Sequence, residues 1–260
     1  MALDFTSVTE VPGGGATAEQ LSMLYTRYAV ASSECEGKDV LEVACGSGHG
    51  LGLLAKRARL VVGGDCTDTL LRGAKEYYGS SIPLICLDAQ VLPFANHSFD
   101  VVVLFEAIYY LQRPEEFLQE CRRVLRPGGT CLLCSANRER TGFNPSPFSV
   151  NYFSALELRR LLSKHGFAAE IFGAFPVAVS TAKQEAVDRI RKLAVRGHLI
   201  PKTMRGKEFL KRIFYGRLAK LGKEVQEGMA ERAPLFPLDG EGSVQRYKVI
   251  YAIGRRSKSG

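Results

Sequence analysis

Between residues 39 and 135, short and nearly continuous apolar runs alternate with longer stretches whose apolar positions recur every three or four residues. The runs at 39–44, 59–65, 82–87, 99–105 and 130–135 predict strands. The fourth, Phe99-Asp100-Val101-Val102-Val103-Leu104-Phe105, is apolar on both alternating faces, as expected of a strand covered on both sides. The stretches at 50–58, 67–78 and 114–125 predict helices, the last with Pro114 in its first turn. Strand and helix in strict alternation imply a parallel sheet with right-handed crossovers.

The rhythm changes after Ala136. Residues 137–151 read as a long loop containing Pro145 and Pro147. Ser154, with Glu157 three residues on, forms a capping-box signature for a helix over 155–165, which Gly166 ends. Residues 168–177 predict a sixth strand. The alternation of Tyr247, Val249, Tyr251 and Ile253 predicts a last strand over 244–254, with a frayed tail beyond it. Ahead of the repeating part lies an extension, 1–36, with a flexible Pro12-Gly13-Gly14-Gly15 loop and a helix over 18–31 bearing Tyr25, Arg27 and Tyr28. The chain therefore reads as a single domain, 1–260, with this N-terminal helical extension and a basic helical insertion at 178–243.

The chemistry concentrates where the first strand ends. In Val40-Leu41-Glu42-Val43-Ala44-Cys45-Gly46-Ser47-Gly48 an apolar run with an acid breaks into a glycine-rich turn, and the second strand closes on Asp65. A strand, tight loop, helix and second strand tipped by an acid is how an open α/β sheet binds an adenosine-containing cofactor. Glycines let backbone approach the ligand, and the acid accepts from ribose hydroxyls. A dinucleotide site wants a third glycine three residues after Gly48, where Leu51 stands, and no Tyr-x-x-x-Lys pair occurs. Both observations weigh against a nicotinamide-dependent dehydrogenase, the less favoured enzyme reading.

Later segments decide between cofactors: Leu87-Asp88-Ala89, then Val91-Leu92-Pro93-Phe94, Ser98-Phe99-Asp100-Val101-Val102, Phe105-Glu106, and Arg122-Arg123-Val124-Leu125-Arg126-Pro127-Gly128-Gly129. In order over roughly residues 38–175, they resemble the class I S-adenosylmethionine-dependent methyltransferases, in the branch that acts on small molecules, glycans and lipids. The resemblance implies a Rossmann-like, seven-stranded, mostly parallel sheet whose antiparallel last strand sits beside the sixth. It implies S-adenosyl-L-methionine as cofactor, with Glu42, Ala44, Gly46 and Gly48 around its methionine part. Asp65 is then expected at the ribose, Cys66 beside the adenine, Asp88 at the adenine amino group with Ala89 alongside, and Phe105 under the cofactor. The N-terminal helix of such enzymes closes over the cofactor, which places Tyr25, Arg27 or Tyr28 at the methionine carboxylate. Plainer readings stand beside these: Asp65 as a helix cap, Asp88 as a turn former, and Tyr25 and Tyr28 as core packing. Two departures are visible. Glu42 stands where Asp is common, and Tyr110 stands where related sequences carry a histidine.

Transfer of a methyl group to an alcohol needs a base. Glu106, Tyr109 and Tyr110 follow the fourth strand, at the sheet edge where ligands bind, and are the catalytic candidates. No His/Cys/Asp/Glu spacing suggests a metal. Seven scattered cysteines read as free thiols, and Cys131-x-x-Cys134 falls in a strand, with its two side chains on opposite faces.

Net charge is +8, with 46% hydrophobic and 24% charged residues. The excess lies between Lys183 and Lys223, where only Glu185, Asp188 and Glu208 oppose the bases. There, residues 207–221 predict a helix with Leu210, Ile213, Phe214, Leu218 and Leu221 on one face. This is a lid over the acceptor pocket, a surface for an acidic acceptor or an anionic membrane, or both. Neither a nucleic-acid recognition motif nor an aromatic platform is present. No apolar run is long enough to span a membrane, and the start lacks signal-peptide character, so the expected location is cytoplasmic, with membrane-peripheral contact through the insertion. The expected function is methyl transfer to an O or N atom of a small molecule, glycan or lipid-linked intermediate. The non-enzymatic alternative is a methyltransferase-like binding subunit. Oligomeric state is not legible.

Overall fold

A computed structural model describes residues 4–177, 218–238 and 244–258. Its elements follow the predicted alternation. They are β1 (Gly15–Ala16), α1 (Ala18–Ser33), β2 (Asp39–Val43), α2 (Leu51–Ala55), β3 (Leu60–Asp65), α3 (Asp68–Tyr78), β4 (Leu84–Cys86), β5 (Phe99–Phe105), α4 (Pro114–Val124), β6 (Leu125–Ala136), α5 (Ala155–Lys164), β7 (Phe167–Pro176), β8 (Ala219–Lys220), β9 (Phe236–Pro237) and β10 (Tyr247–Arg256).

Eight strands form one sheet in the order β4-β3-β2-β5-β6-β10-β7-β9. The pairs from β4 to β6 are parallel, and β10 lies antiparallel between β6 and β7. This is the expected seven-stranded arrangement with one two-residue edge strand, β9, added against β7. The order reverses at β2 and β5, so their C-terminal ends diverge and leave a crevice above the sheet. Period-two alternation sends Leu41, Val43, Val102, Leu104 and Leu133 to one face, where α4 and α5 bring Phe117, Leu118, Leu158 and Leu162. Val40, Val101, Val103 and Leu132 go to the other, under Leu24, Tyr28, Leu51 and Leu54 of α1 and α2. Cys131 belongs to the first layer and Cys134 to the second, as opposite-facing strand residues must.

Three local readings change. Residues 126–129, expected as a turn, lie within β6, where Leu125 pairs with Phe99 and Thr130 with Val101; the register shift between them accommodates the Pro-Gly-Gly run. The helix expected over 50–58 is limited to Leu51–Ala55. The helix expected to run to Leu221 does not: Ala219–Lys220 is extended and pairs antiparallel with Gly15–Ala16. The remaining described part of the insertion, through 238, contains no helix. The rest of the predicted basic helix lies outside the described residues. Among the described residues, no helix is long and apolar enough to cross a membrane.

Candidate functional site

The ends of β2, β3 and β5, the loop after β4 and one face of α1 enclose a cavity of about 790 Å³. Two non-glycine residues that end strands there take left-handed backbone: Ala44 after β2 (φ 58°) and Glu106 after β5 (φ 51°). Such conformations are uncommon outside glycine and cluster at ligand sites. They turn the chain sharply off the sheet. After Ala44, Gly46 is also left-handed (φ 56°), and a Cβ there would come within 2.9 Å of the Thr9 methyl. Glycine is thus favoured both by its φ and by the close approach of residue 9.

Asp65 ties this loop to β3. Its Oδ2 accepts from the Gly46 N–H and its Oδ1 from the Thr67 N–H, both at 2.8 Å. Thr67 is the N-cap residue of α3, so the carboxylate braces the approach to the helix without capping it. Asp65 is 6% exposed, and it lines the cavity. Each carboxylate oxygen keeps further acceptor capacity for a diol. Asp88 both lines the cavity and forms a turn, its Oδ1 accepting from the Gln90 N–H at 2.8 Å.

Arg27, Tyr28, Ala44, Gly46, Asp65, Cys66, Asp88, Ala89 and Phe105 all line the cavity, and so do Glu106, Tyr109 and Tyr110. Three expected cofactor residues do not. Tyr25 lies on another side of α1, where its hydroxyl accepts from the Gly228 N–H at 3.0 Å. Gly48 is left-handed (φ 77°) and its carbonyl accepts from the Tyr78 hydroxyl, serving the turn rather than the wall. Glu42 is set one residue back: its Oε1 accepts from the Tyr28 hydroxyl at 2.6 Å, and Tyr28 packs edge-on to Phe105. Sequence reasoning missed Phe5, Thr9 and Glu10 of the extension, and His49 just past the glycine turn, all on the wall. A lone Glu in a Gly/Pro-rich leader carries no periodic signal, and His49 offered only its adjacency to Gly48.

Burial governs the electrostatics. It pushes the Glu42 carboxyl up to about 7, against the hydrogen bond from Tyr28. Glu42 Oε2 has no hydrogen-bond partner among the described residues. An unfolded glutamate titrates near 4.5, so folding favours the neutral acid. The stability from this group is fully present below pH 4.5 and is lost as pH rises through about 7. Glu42→Gln keeps the acceptor for Tyr28 and removes the titration. Scanning calorimetry should show the variant gaining on the parent between pH 5.5 and 8 by on the order of 1–3 kcal/mol; parallel Tm profiles would rule this out.

Glu106 opens to the cavity and is otherwise enclosed, and burial raises its pKa. Its Oε2 accepts from the Tyr109 hydroxyl at 3.0 Å, and the Cys134 thiol lies 3.6 Å from Oε1. Around it the cavity is aromatic. Tyr109 stacks on Tyr152 at 4.1 Å, Tyr110 lies 5.0 Å from Phe5, and the Tyr110 hydroxyl meets Ser146 Oγ at 2.6 Å. The Pro145-Ser146-Pro147 loop therefore fixes this end of the cavity. One end is polar, built on the glycine loop, Asp65 and Arg27. The other is aromatic, with the half-buried Glu106 carboxylate between them.

A family model described as a methyltransferase domain matches residues 41–133, which span β2 to β6. A Mycolicibacterium smegmatis protein named as a probable S-adenosylmethionine-dependent methyltransferase is 35% identical over 179 residues, covering 65% of this chain and 67% of that protein. A Coxiella burnetii ubiquinone biosynthesis O-methyltransferase is 29% identical over 115 residues, covering 43% of this chain and 49% of its own length. The crystal structure of an Archaeoglobus fulgidus S-adenosylmethionine-dependent methyltransferase superposes with a TM-score of 0.56 at 16% identity, over 92% of this chain and 95% of that one, and shares the fold. The glycine loop and Asp65 lie inside the matched region, on the wall where the sheet order reverses. The chain belongs to the S-adenosylmethionine-dependent methyltransferases.

Proposed function

We propose that the chain methylates a hydroxyl oxygen on a small molecule, or on a glycan- or lipid-linked intermediate, that presents an apolar or aromatic part to the cavity. The observation that carries this reading is Glu106, a half-buried carboxylate on the wall shared by the polar and aromatic ends, whose pKa desolvation raises. An amine acceptor needs only to be neutral, whereas an alcohol must lose a proton as it reacts, and a carboxylate with a raised pKa suits that step. The name of the Coxiella relative points the same way.

The residues present fit the cofactor. The left-handed turn at Gly46 brings bare backbone to the cavity wall, Asp65 has acceptor capacity for ribose hydroxyls, and the buried Arg27 guanidinium keeps an unpartnered Nε among the described residues. When bound, S-adenosyl-L-methionine supplies a methyl group already activated on a sulfonium. What the chain must add is alignment of the acceptor and removal of its proton. The aromatic rings of Tyr109 and Tyr110 orient the acceptor and exclude water, and Glu106 takes the proton. The basic stretch 183–223, largely outside the described residues, would then draw in an acidic acceptor or rest on an anionic membrane surface.

Calorimetric titration with S-adenosyl-L-methionine, with NADH as control, tests the cofactor site. Asp65→Asn should weaken donor binding by roughly tenfold or more, since a charge-assisted hydrogen bond contributes about 1.5–3 kcal/mol. Methyl incorporation across phenolic, glycan and lipid-linked acceptors then tests the oxygen assignment, and transfer to amines alone would overturn it.

A further inference from the structure

Arg27 is 9% exposed, and its guanidinium is already paired with the Glu10 carboxylate. Burial works against the charge on Arg27. The Glu10 carboxylate, with Glu106 beyond it, outweighs burial and keeps the group charged. Glu10 itself is 43% exposed.

That segment crosses the cavity. Phe5, Val8, Thr9 and Glu10 line it. The Phe5 ring packs on Tyr110, the Thr9 methyl sits against Gly46, and the Glu10 carbonyl accepts from Ser47 Oγ at 3.1 Å. Further on, Gly13 and Gly14 exchange backbone hydrogen bonds with Leu221, and Gly15–Ala16 pairs with Ala219–Lys220. The segment is therefore anchored at 13–16, while residues 5–10 rest on the very groups that should meet the cofactor.

We infer that Glu10 is an internal stand-in for the cofactor's carboxylate: a donor reaches Arg27 only by displacing Glu10, which thereby sets donor affinity. The inference rests on the reading of the cavity as a donor site. A buried guanidinium left without an anion is costly, so a carboxylate should be present before the donor arrives. A half-exposed side chain can supply it, because it can return to water when displaced, which a carboxylate fixed on a core strand cannot do. Arg27 then has an anionic partner in both states, and residues 5–10 are released from the acceptor end as the donor binds.

The test is calorimetry on the full chain and on Glu10→Gln and Glu10→Ala, with two ligands that differ only in the carboxylate: S-adenosyl-L-methionine and its decarboxylated form. Removing the competitor should tighten the carboxylate-bearing donor about tenfold and leave the decarboxylated one within twofold, in both variants. Equal changes for the two ligands, or weaker binding of the carboxylate-bearing one, would overturn the role of Glu10. Failure of the parent protein to bind either ligand would instead overturn the donor site, and this inference with it.

Discussion

Glu106→Gln is expected to lower the rate of methyl transfer by about 10²–10⁴-fold, the usual span for loss of a positioned general base. Donor affinity should stay within about twofold. The substitution is nearly isosteric, and an amide oxygen can still accept from the Tyr109 hydroxyl, which lies 3.0 Å from Glu106 Oε2. Burial holds the Tyr109 phenol well above its ordinary range, so it remains protonated and donates throughout. What the amide lacks is a lone pair basic enough to take a proton. The sign of the pH dependence follows from the raised pKa of Glu106. Protonated at low pH, it is inactive as a base; as pH rises through its folded value, activity should climb, on a limb displaced above the ordinary glutamate value of 4.5. That limb should vanish in Glu106→Gln. Single-turnover methyl incorporation against pH measures both effects. A variant within fivefold of the parent, with the limb intact, would remove Glu106 from catalysis and favour an acceptor that needs no base.

Much of this site could be read in the chain because its signals are local. The glycine turn after β2 and the acid ending β3 lie within a 27-residue strand–loop–helix–strand unit (39–65) whose hydrophobic period is unambiguous. The antiparallel place of β10 came from resemblance, and the sheet order agrees. What could not be read depends on contacts between segments far apart in sequence. Glu10 meets Arg27 because the Gly-rich leader folds back along α1, anchored on Leu221, more than two hundred residues away. Nothing in either segment alone indicates that pairing. The extended conformation of Ala219–Lys220 has the same origin. Local amphipathicity there favours a helix, and pairing with Gly15–Ala16 overrides it. Glu42 shows a subtler limit. Motif position puts it near the cofactor, whereas the choice of Tyr28, from another element, to bond its Oε1 sets it behind the wall.

Gly50→Ala is expected to destabilise the fold by about 2–6 kcal/mol, summing an overpacking cost of about 1–3 kcal/mol and a similar cost for a buried polar group that loses its partner. Gly50 has ordinary φ (−93°), so the backbone would accept alanine. The obstacle is the Tyr28 ring: a Cβ would lie 1.7 Å from its Cε1 and 2.1 Å from Cδ1 and Cζ. The ring has no easy retreat. Its hydroxyl donates to Glu42 Oε1 at 2.6 Å, and its edge packs against Phe105 at a centroid distance of 5.6 Å. Moving it breaks the bond to Glu42, whose Oε2 already lacks a partner among the described residues, and deforms the cavity wall that Tyr28 and Phe105 form. The melting temperature should therefore fall by roughly 4–24 °C, at about 2–4 °C per kcal/mol for a chain of this size. A double-mutant cycle with Tyr28→Leu separates the clash from any other effect. If the ring is the obstacle, removing it should make Gly50→Ala much less costly in the Tyr28→Leu background, with a coupling of about 1–3 kcal/mol. Additive losses would place the cost in the backbone, and the wall would then tolerate Cβ atoms where this packing forbids them.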